Sequence, residues 1–204
     1  MAKKDPTASV DTLLQTIRRH HRLTEQETQV IGTYFRRDLF KRKSTLLQAG
    51  QTAHRVYFVV SGILHMYYTD ERGQPHSCNF FMPGELATDL ESFSKQLPAG
   101  NAIETLTAAE CLSISCKETV SLMQESPAFN KYVMGVIETI AMHNINRTKD
   151  LLSLQPEMRY QKLLATRPDI IRAVPQKYIA RFLGISPESL SRIRSRIVTL
   201  PASH

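Results

Sequence analysis

Most of the residue patterns that announce chemistry are missing from this sequence. Its three cysteines, Cys78, Cys111 and Cys116, are an odd number with no CxxC or metal-ligand spacing. That argues against a disulfide framework or a zinc site and for a reducing compartment. No apolar run approaches the roughly 20 residues that span a bilayer. The opening stretch MAKKDPTASVDTLL has no apolar h-region. Neither a membrane span nor a secretory leader is therefore expected, and a cytoplasmic protein is. There is no phosphate-cradling glycine loop, no carboxylate pair at helical or hairpin spacing and no nucleophile–base signature, so an enzyme is not expected. His20 and His21 are adjacent on a helical stretch and point about 100° apart. The other histidines have no partner at ligand spacing, so no metal and no cofactor are implied. Internal repeats and low-complexity segments are absent as well.

The chain has 204 residues, 42% of them hydrophobic. That suffices for one or two domains with a true core. The net charge is +7, and it is unevenly spread. From Arg159 onward there are nine Lys/Arg against two acids, Asp169 and Glu188, whereas the first 158 residues hold 17 of each sign. A neutral domain joined to a small basic one is a common design for binding nucleic acid. A basic tail kept for solubility would show the same imbalance.

Residues 9 to 34 have helical periodicity, with Thr24-Glu25-Gln26-Glu27 in capping-box form. From about 36 to 117 the pattern changes to short strands rich in β-branched and aromatic residues, as in RVYFVVSGILHMYYTDERGQPHSCNFF. Glycines punctuate at 50, 62, 73 and 84, and Asp70–Gly73 reads as a hairpin turn. Such spacing predicts a closed or double-sheet β structure. A long helix follows, roughly Ala128 to Leu154. It carries one apolar stripe through Met134, Ile137, Ala141, Ile145, Thr148 and Leu152, and an adjacent one through Val133, Val136, Ile140 and Leu151. One stripe suits the β domain and the other a partner helix. Val133, Ile137, Ile140, Asn144, Thr148 and Leu151 are the residues expected at a dimer seam. Proline breaks at 156, 168 and 175 then divide the last 50 residues into short helices.

Within that basic segment, QKYIARFLGISPESLSRIRSRI divides at Gly184. Ile179, Ala180 and Leu183 give one helical face before it. Ser186-Pro187 is a cap followed by proline at the first helical position. Leu190, Ile193 and Ile197 give the next inner face. A small residue at the crossing, a glycine in the turn and an apolar inner side are what a helix-turn-helix requires. The outer face then presents Glu188, Ser189 and Arg192 for base reading. Gln176, Lys177, Ser191, Arg194 and Arg196 are left for phosphates, which fix register without reading sequence.

With these segments in this order, the chain resembles the Crp/Fnr (cyclic-AMP receptor protein) family of bacterial transcription regulators over nearly its whole length. STLLQAGQTAHRVYFVVSGILHMYYTDERGQPHSCNFFMPGE is similar to the family's β-roll. RYQKLL…VPQKYIARFLGISPESLSRIRSRI resembles most the subgroup common in Bacteroidetes. The resemblance implies an α+β fold: an N-terminal cyclic-nucleotide-binding-like β-roll (a double-sheet jelly roll), a long dimerisation helix, and a C-terminal helix-turn-helix, winged-helix-like domain. The expected limits are 1–127, 128–155 and 156–204. The expected partners are double-stranded DNA with a pseudo-palindromic operator, half-sites about 34 Å apart, a second copy of the chain, RNA polymerase, and an effector small molecule of unknown identity. The family's reading helix often has Arg-Glu-Thr/Ser-x-x-Arg. Here Glu188, Ser189 and Arg192 match it, while Pro187 replaces the first arginine, which implies a different operator.

The cassette departs further. Family members that bind cyclic nucleotides have a Gly-Glu pair and then an Arg-Ser/Thr. Here Thr88-Asp89 and Ala99-Gly100-Asn101 stand in those places, and no arginine occurs from 73 to 146. A buried phosphate needs a compensating charge, and Lys95 is the one cation of the cassette. Glu85, Asp89 and Asn101 are the candidate effector pocket, and cyclic nucleotide is not expected there. The alternative function is a small-molecule receptor whose C-terminal helical module binds protein rather than DNA.

Overall fold

The computed structural model describes residues 6–199. Residues 1–5 and 200–204, which the expected first and last domains include, lie outside the described residues. Two helices open the chain, α1 (Pro6–Arg18) and α2 (Glu25–Tyr34). The capping box starts α2: the Glu27 N–H donates to the Thr24 hydroxyl at 3.1 Å, and the Thr24 N–H donates to the Glu27 carboxylate at 3.0 Å.

Eight strands follow: β1 (Arg36–Phe40), β2 (Thr45–Leu47), β3 (Arg55–Ser61), β4 (Leu64–Thr69), β5 (Pro75–Phe81), β6 (Leu86–Ala87), β7 (Ala102–Thr105) and β8 (Ala109–Ser115). They form two four-stranded sheets, ordered β1-β8-β3-β6 and β2-β7-β4-β5. Strands distant in sequence pair, as in the antiparallel register of Arg36 with Ser113 and of Arg55 with Ser115. The expected β-roll is therefore present. Phe58, Leu64, Ile103, Leu112 and Ile114 are buried in the core of the roll. β8 is buried along almost its whole length rather than alternately, because α1 packs against it as well. Its outward Glu110 accepts from Arg37 at 2.8 Å and from the Ser9 hydroxyl of α1. Gly62 turns β3 into β4 at φ +90°, and a Cβ there would lie 2.5 Å from the Ala108 carbonyl oxygen.

A helix not evident in the sequence, α3 (Leu90–Lys95), interrupts the strands. It is only 6 residues long, too short for a periodic signal. Then come α4 (Cys116–Glu125), α5 (Pro127–Ser153), α6 (Pro156–Thr166), α7 (Pro168–Ala173), α8 (Gln176–Leu183) and α9 (Pro187–Thr199). Glu27 bears on two helix starts, since its Oε1 also accepts from the Ala128 N–H at 3.0 Å and the Ser126 hydroxyl at 2.9 Å.

The chain forms two compact units. One holds the residues up to Met66 with Phe80–Ala141, and the other holds Tyr67–Asn79 with the chain from Met142 onward. The second unit thus includes the outer part of the β4–β5 hairpin. The expected fold class, a β-roll followed by a long helix and a C-terminal helical domain, is present; among the described residues no strand follows β8. Pro168 starts α7 and Val174-Pro175 ends it.

The six residues expected at a dimer seam do not share one environment. Val133 packs on the core of the first unit, and Ile137 and Ile140 are half-buried, while Asn144, Thr148 and Leu151 are exposed. The open apolar face of α5 runs through Met134, Ala141, Ile145 and Leu152, the last 84% exposed. At about 100° per residue, Val133, Ile140 and Leu151 belong to the neighbouring stripe. Among the described residues, no helix is long and apolar enough to cross a membrane.

Candidate nucleic-acid interface and effector cassette

α8 ends in a Schellman arrangement. Gly184 adopts φ 68° and ψ 36°, and the Ile185 N–H donates to the Ala180 carbonyl at 3.0 Å. Only a residue without Cβ takes that conformation at low cost. Ala180 is wholly buried, as the close crossing of two helices requires, and Ile179, Leu183, Leu190 and Ile193 are buried with it. Ser186 then caps α9 by accepting from the Ser189 N–H at 3.2 Å, with Pro187 at the first helical position.

With Leu190 and Ile193 inward and Ile197 half-buried, the opposite side of α9 is open. Glu188, Ser191, Arg192 and Ser195 are exposed there. The Glu188 carboxyl lies below the usual carboxylate range: its own backbone N–H and the Ser186 hydroxyl donate to it, and Arg192 adds a favourable charge. Ser189, the other expected base reader, is half-buried, and its hydroxyl sits 3.1 Å from that of Ser186. It is engaged in the cap more than presented outward. Arg194 and Arg196 lie on opposite flanks of the open face, by the 100° step. Arg196 reaches Glu157 of α6 at 3.9 Å. Gln176 and Lys177 are exposed at the start of α8, where the Lys177 ammonium stands 4.8 Å from the Tyr178 ring centre and the Arg181 guanidinium 6.0 Å.

In the first unit, the cassette brings two of its three expected residues together. Asp89 caps α3 by accepting from the Ser92 N–H at 3.1 Å. Its other oxygen accepts from the Asn101 side-chain amide at 2.9 Å and the Asn101 backbone N–H at 3.2 Å. The residue is only 6% exposed. Glu85 serves a separate role, accepting from the Met82 N–H at 2.8 Å within the turn at Gly84. Lys95 pairs with Glu91 at the surface, at 2.8 Å. Cys111 is a core residue whose thiol burial pushes up to about 12.

Sequence reasoning overlooked Arg147. It lies on the inner side of α5 and donates to the carbonyls of Ser77 at 2.9 Å and Phe182 at 3.0 Å, with its guanidinium 4.5 Å from the Phe182 ring centre. It ties the hairpin, α5 and α8 within the second unit. The available signal was an arginine falling on the Val136–Ile140 stripe, directly after the long arginine-free stretch.

The comparisons agree with this architecture. The cyclic nucleotide-binding domain family matches residues 37–126. The cAMP-activated global transcriptional regulator CRP of Haemophilus influenzae is 22% identical over 164 residues, covering 76% of this chain and 73% of that protein. The cyclic AMP receptor protein of Thermus thermophilus is 21% identical over 178 residues, covering 85% and 82%. The solved structure of FixK2 from Bradyrhizobium japonicum superposes with a TM-score of 0.71 at 15% identity, over 81% of this chain and 85% of that one.

Proposed function

We propose that this chain is a transcription regulator of the Crp/Fnr family that reads a specific duplex DNA site as a homodimer, without cyclic nucleotide as its effector. The observation that carries the reading is the α8–α9 pair. A glycine turn and a serine cap fix a helix whose anchored side is Leu190 and Ile193 and whose open side offers Glu188 and Arg192. Arg192 has the two-pronged geometry that matches guanine O6 and N7, and Glu188 accepts from cytosine N4. Gln176, Lys177, Ser191, Arg194 and Arg196 are assigned to the phosphates. The division of labour follows the chain: a β-roll to residue 127, a pairing helix over 128–155, and a DNA-reading module over 156–204.

Two facts support the absence of cyclic nucleotide. Both oxygens of Asp89 are already taken by the chain's own N–H groups, and no arginine stands at the Asn101 position. A cyclic phosphate would meet a buried carboxylate with no cation to offset it. Pairing through α5 is supported by its open apolar stripe, since large exposed apolar patches mark interaction surfaces.

The test is selection from a random duplex library with the full chain. Enrichment of a two-fold symmetric site is expected, and its loss in Arg192→Ala at one base position per half-site. A folded dimer that enriches no duplex would favour a receptor whose C-terminal module binds protein.

A further inference from the structure

The second unit has a partly open cavity of ≈ 260 Å³ between α5, α6, α7 and the end of α8. Leu163, Ile170 and Phe182 give it an apolar interior. Its charged lining is one-sided: Arg147, Arg159, Lys162 and Arg167 against the single carboxylate of Asp150. Lys162 takes that carboxylate at 2.7 Å, and Arg167 takes Asp169 at 3.0 Å. Arg147 and Arg159 have no carboxylate partner among the described residues. Arg147 donates to the carbonyls of Ser77 and Phe182, and Arg159 to that of Leu154 at 2.8 Å. The Nε of each is buried with no acceptor among the described residues.

Two half-buried arginines, each with a buried Nε that has no acceptor among the described residues and with no anion beside it, are costly, because desolvation of a charge is offset only by pairing and full hydrogen bonding. Desolvation lowers the pKa of Arg147 accordingly. The same field reaches His143, also on the lining, whose imidazole is pushed down by desolvation and then by the charges of Arg147 and Arg167.

We propose that this cavity is a binding site for a small amphipathic organic anion, its carboxylate or phosphate held by Arg147 and Arg159 and its apolar body among Leu163, Ile170 and Phe182. The effector site of this regulator is then in the DNA-reading unit and not in the β-roll cassette. An anion that engages Arg147 competes with the Phe182 carbonyl, two residues before the turn glycine, and so acts on the position of α8. That consequence for DNA rests on the function proposed above. The binding itself does not.

The test is calorimetric titration of the full chain, without DNA, with octanoate, benzoate and phenyl phosphate, using 1-octanol as the uncharged control. At least one anion is expected to bind with Kd below about 1 mM and about tenfold or more tighter than octanol. Arg159→Gln and, separately, the cavity-filling Leu163→Trp are each expected to weaken it about tenfold or more, with circular dichroism verifying the fold. Carboxylates against the phosphate ester distinguish the two headgroups. The imidazole pKa of His143, followed by NMR, should rise on binding as the cationic field is neutralised. The proposal is overturned if no probe binds, if octanol binds as tightly as the anions, or if a folded Arg159→Gln binds like wild type. Any of these outcomes leaves the DNA-binding reading standing, and failure to enrich DNA with anion binding intact falls on that reading alone.

Discussion

Asn101 donates to one oxygen of Asp89 twice, from its side-chain amide at 2.9 Å and its backbone N–H at 3.2 Å. The pair closes the cassette on itself: both oxygens of the buried Asp89 carboxylate accept from the chain's own N–H groups. Titration of the full chain with cyclic AMP is therefore expected to give no saturable heat. Asn101→Ala removes a donor to a buried carboxylate and should lower unfolding stability by about 1–3 kcal/mol in urea. A stable Asn101→Ala protein, or tight cyclic AMP binding by wild type, would contradict this account.

Arg192 is exposed on the open side of α9 and Lys177 at the start of α8; in the proposed function the first is assigned to a base and the second to a phosphate. Arg192→Ala should cost about 1–3 kcal/mol on the selected site and relax preference at one position. Lys177→Ala should weaken all duplexes alike and reduce the salt slope by about one. Uniform weakening by Arg192→Ala would show that it too binds only the backbone.

The pairing face of α5 is expected to be the Met134–Ala141–Ile145–Leu152 stripe. The full chain is expected to be a dimer in light scattering, and Ile145→Glu combined with Leu152→Glu should convert it to a folded monomer. Val133→Ala should instead leave the dimer intact and lower stability, because Val133 packs on the core. A dimer that survives both charges would move the seam elsewhere.

Two positive-φ glycines should respond unequally to alanine. At Gly184 the added Cβ meets only Leu151 at 3.7 Å, so the cost is conformational, about 1 kcal/mol. At Gly62 the same atom would lie 2.5 Å from a backbone oxygen and 2.7 Å from Ala109. That strain should exceed the Gly184 cost by about 2 kcal/mol or more. Chemical denaturation of the two variants gives the comparison.

Glu27 sets an acid limb. Backbone N–H groups of Thr24 and Ala128, helped by the Ser126 and Thr24 hydroxyls, lower its pKa from 4.5 to about 2 against a smaller opposing effect of burial. A depressed carboxylate stabilises the fold fully above its unfolded value, and the contribution fades as pH falls from about 4.5 towards about 2. Glu27→Gln should flatten stability across that window while lowering it at neutral pH. An unchanged acid profile would remove Glu27 from this role.

The local features are legible in the order of residues alone. The capping box at Thr24, the hairpin at Asp70–Gly73, the long helix and the glycine turn at Gly184 each depend on neighbours within a few residues, and such preferences act on the chain directly. The inner face of α9 is legible for the same reason, since a helix repeats its faces at a fixed angle. Periodicity also reveals both stripes of α5, but it carries no information about which of them another element covers. Packing decides that, turning Val133 inward and leaving Leu152 open.

What the tertiary structure alone supplied is the meeting of residues far apart in the chain. Asp89 finds Asn101 only because the strands return to the same place. Arg147 meets the carbonyls of Ser77 and Phe182 only because the hairpin, α5 and α8 converge. The sequence by itself determined that this is a β-roll joined to a helix-turn-helix with no arginine in its cassette. The three-dimensional path determined which charges are satisfied and which are not. That balance is set by burial and by contacts between distant residues, neither of which a local pattern encodes.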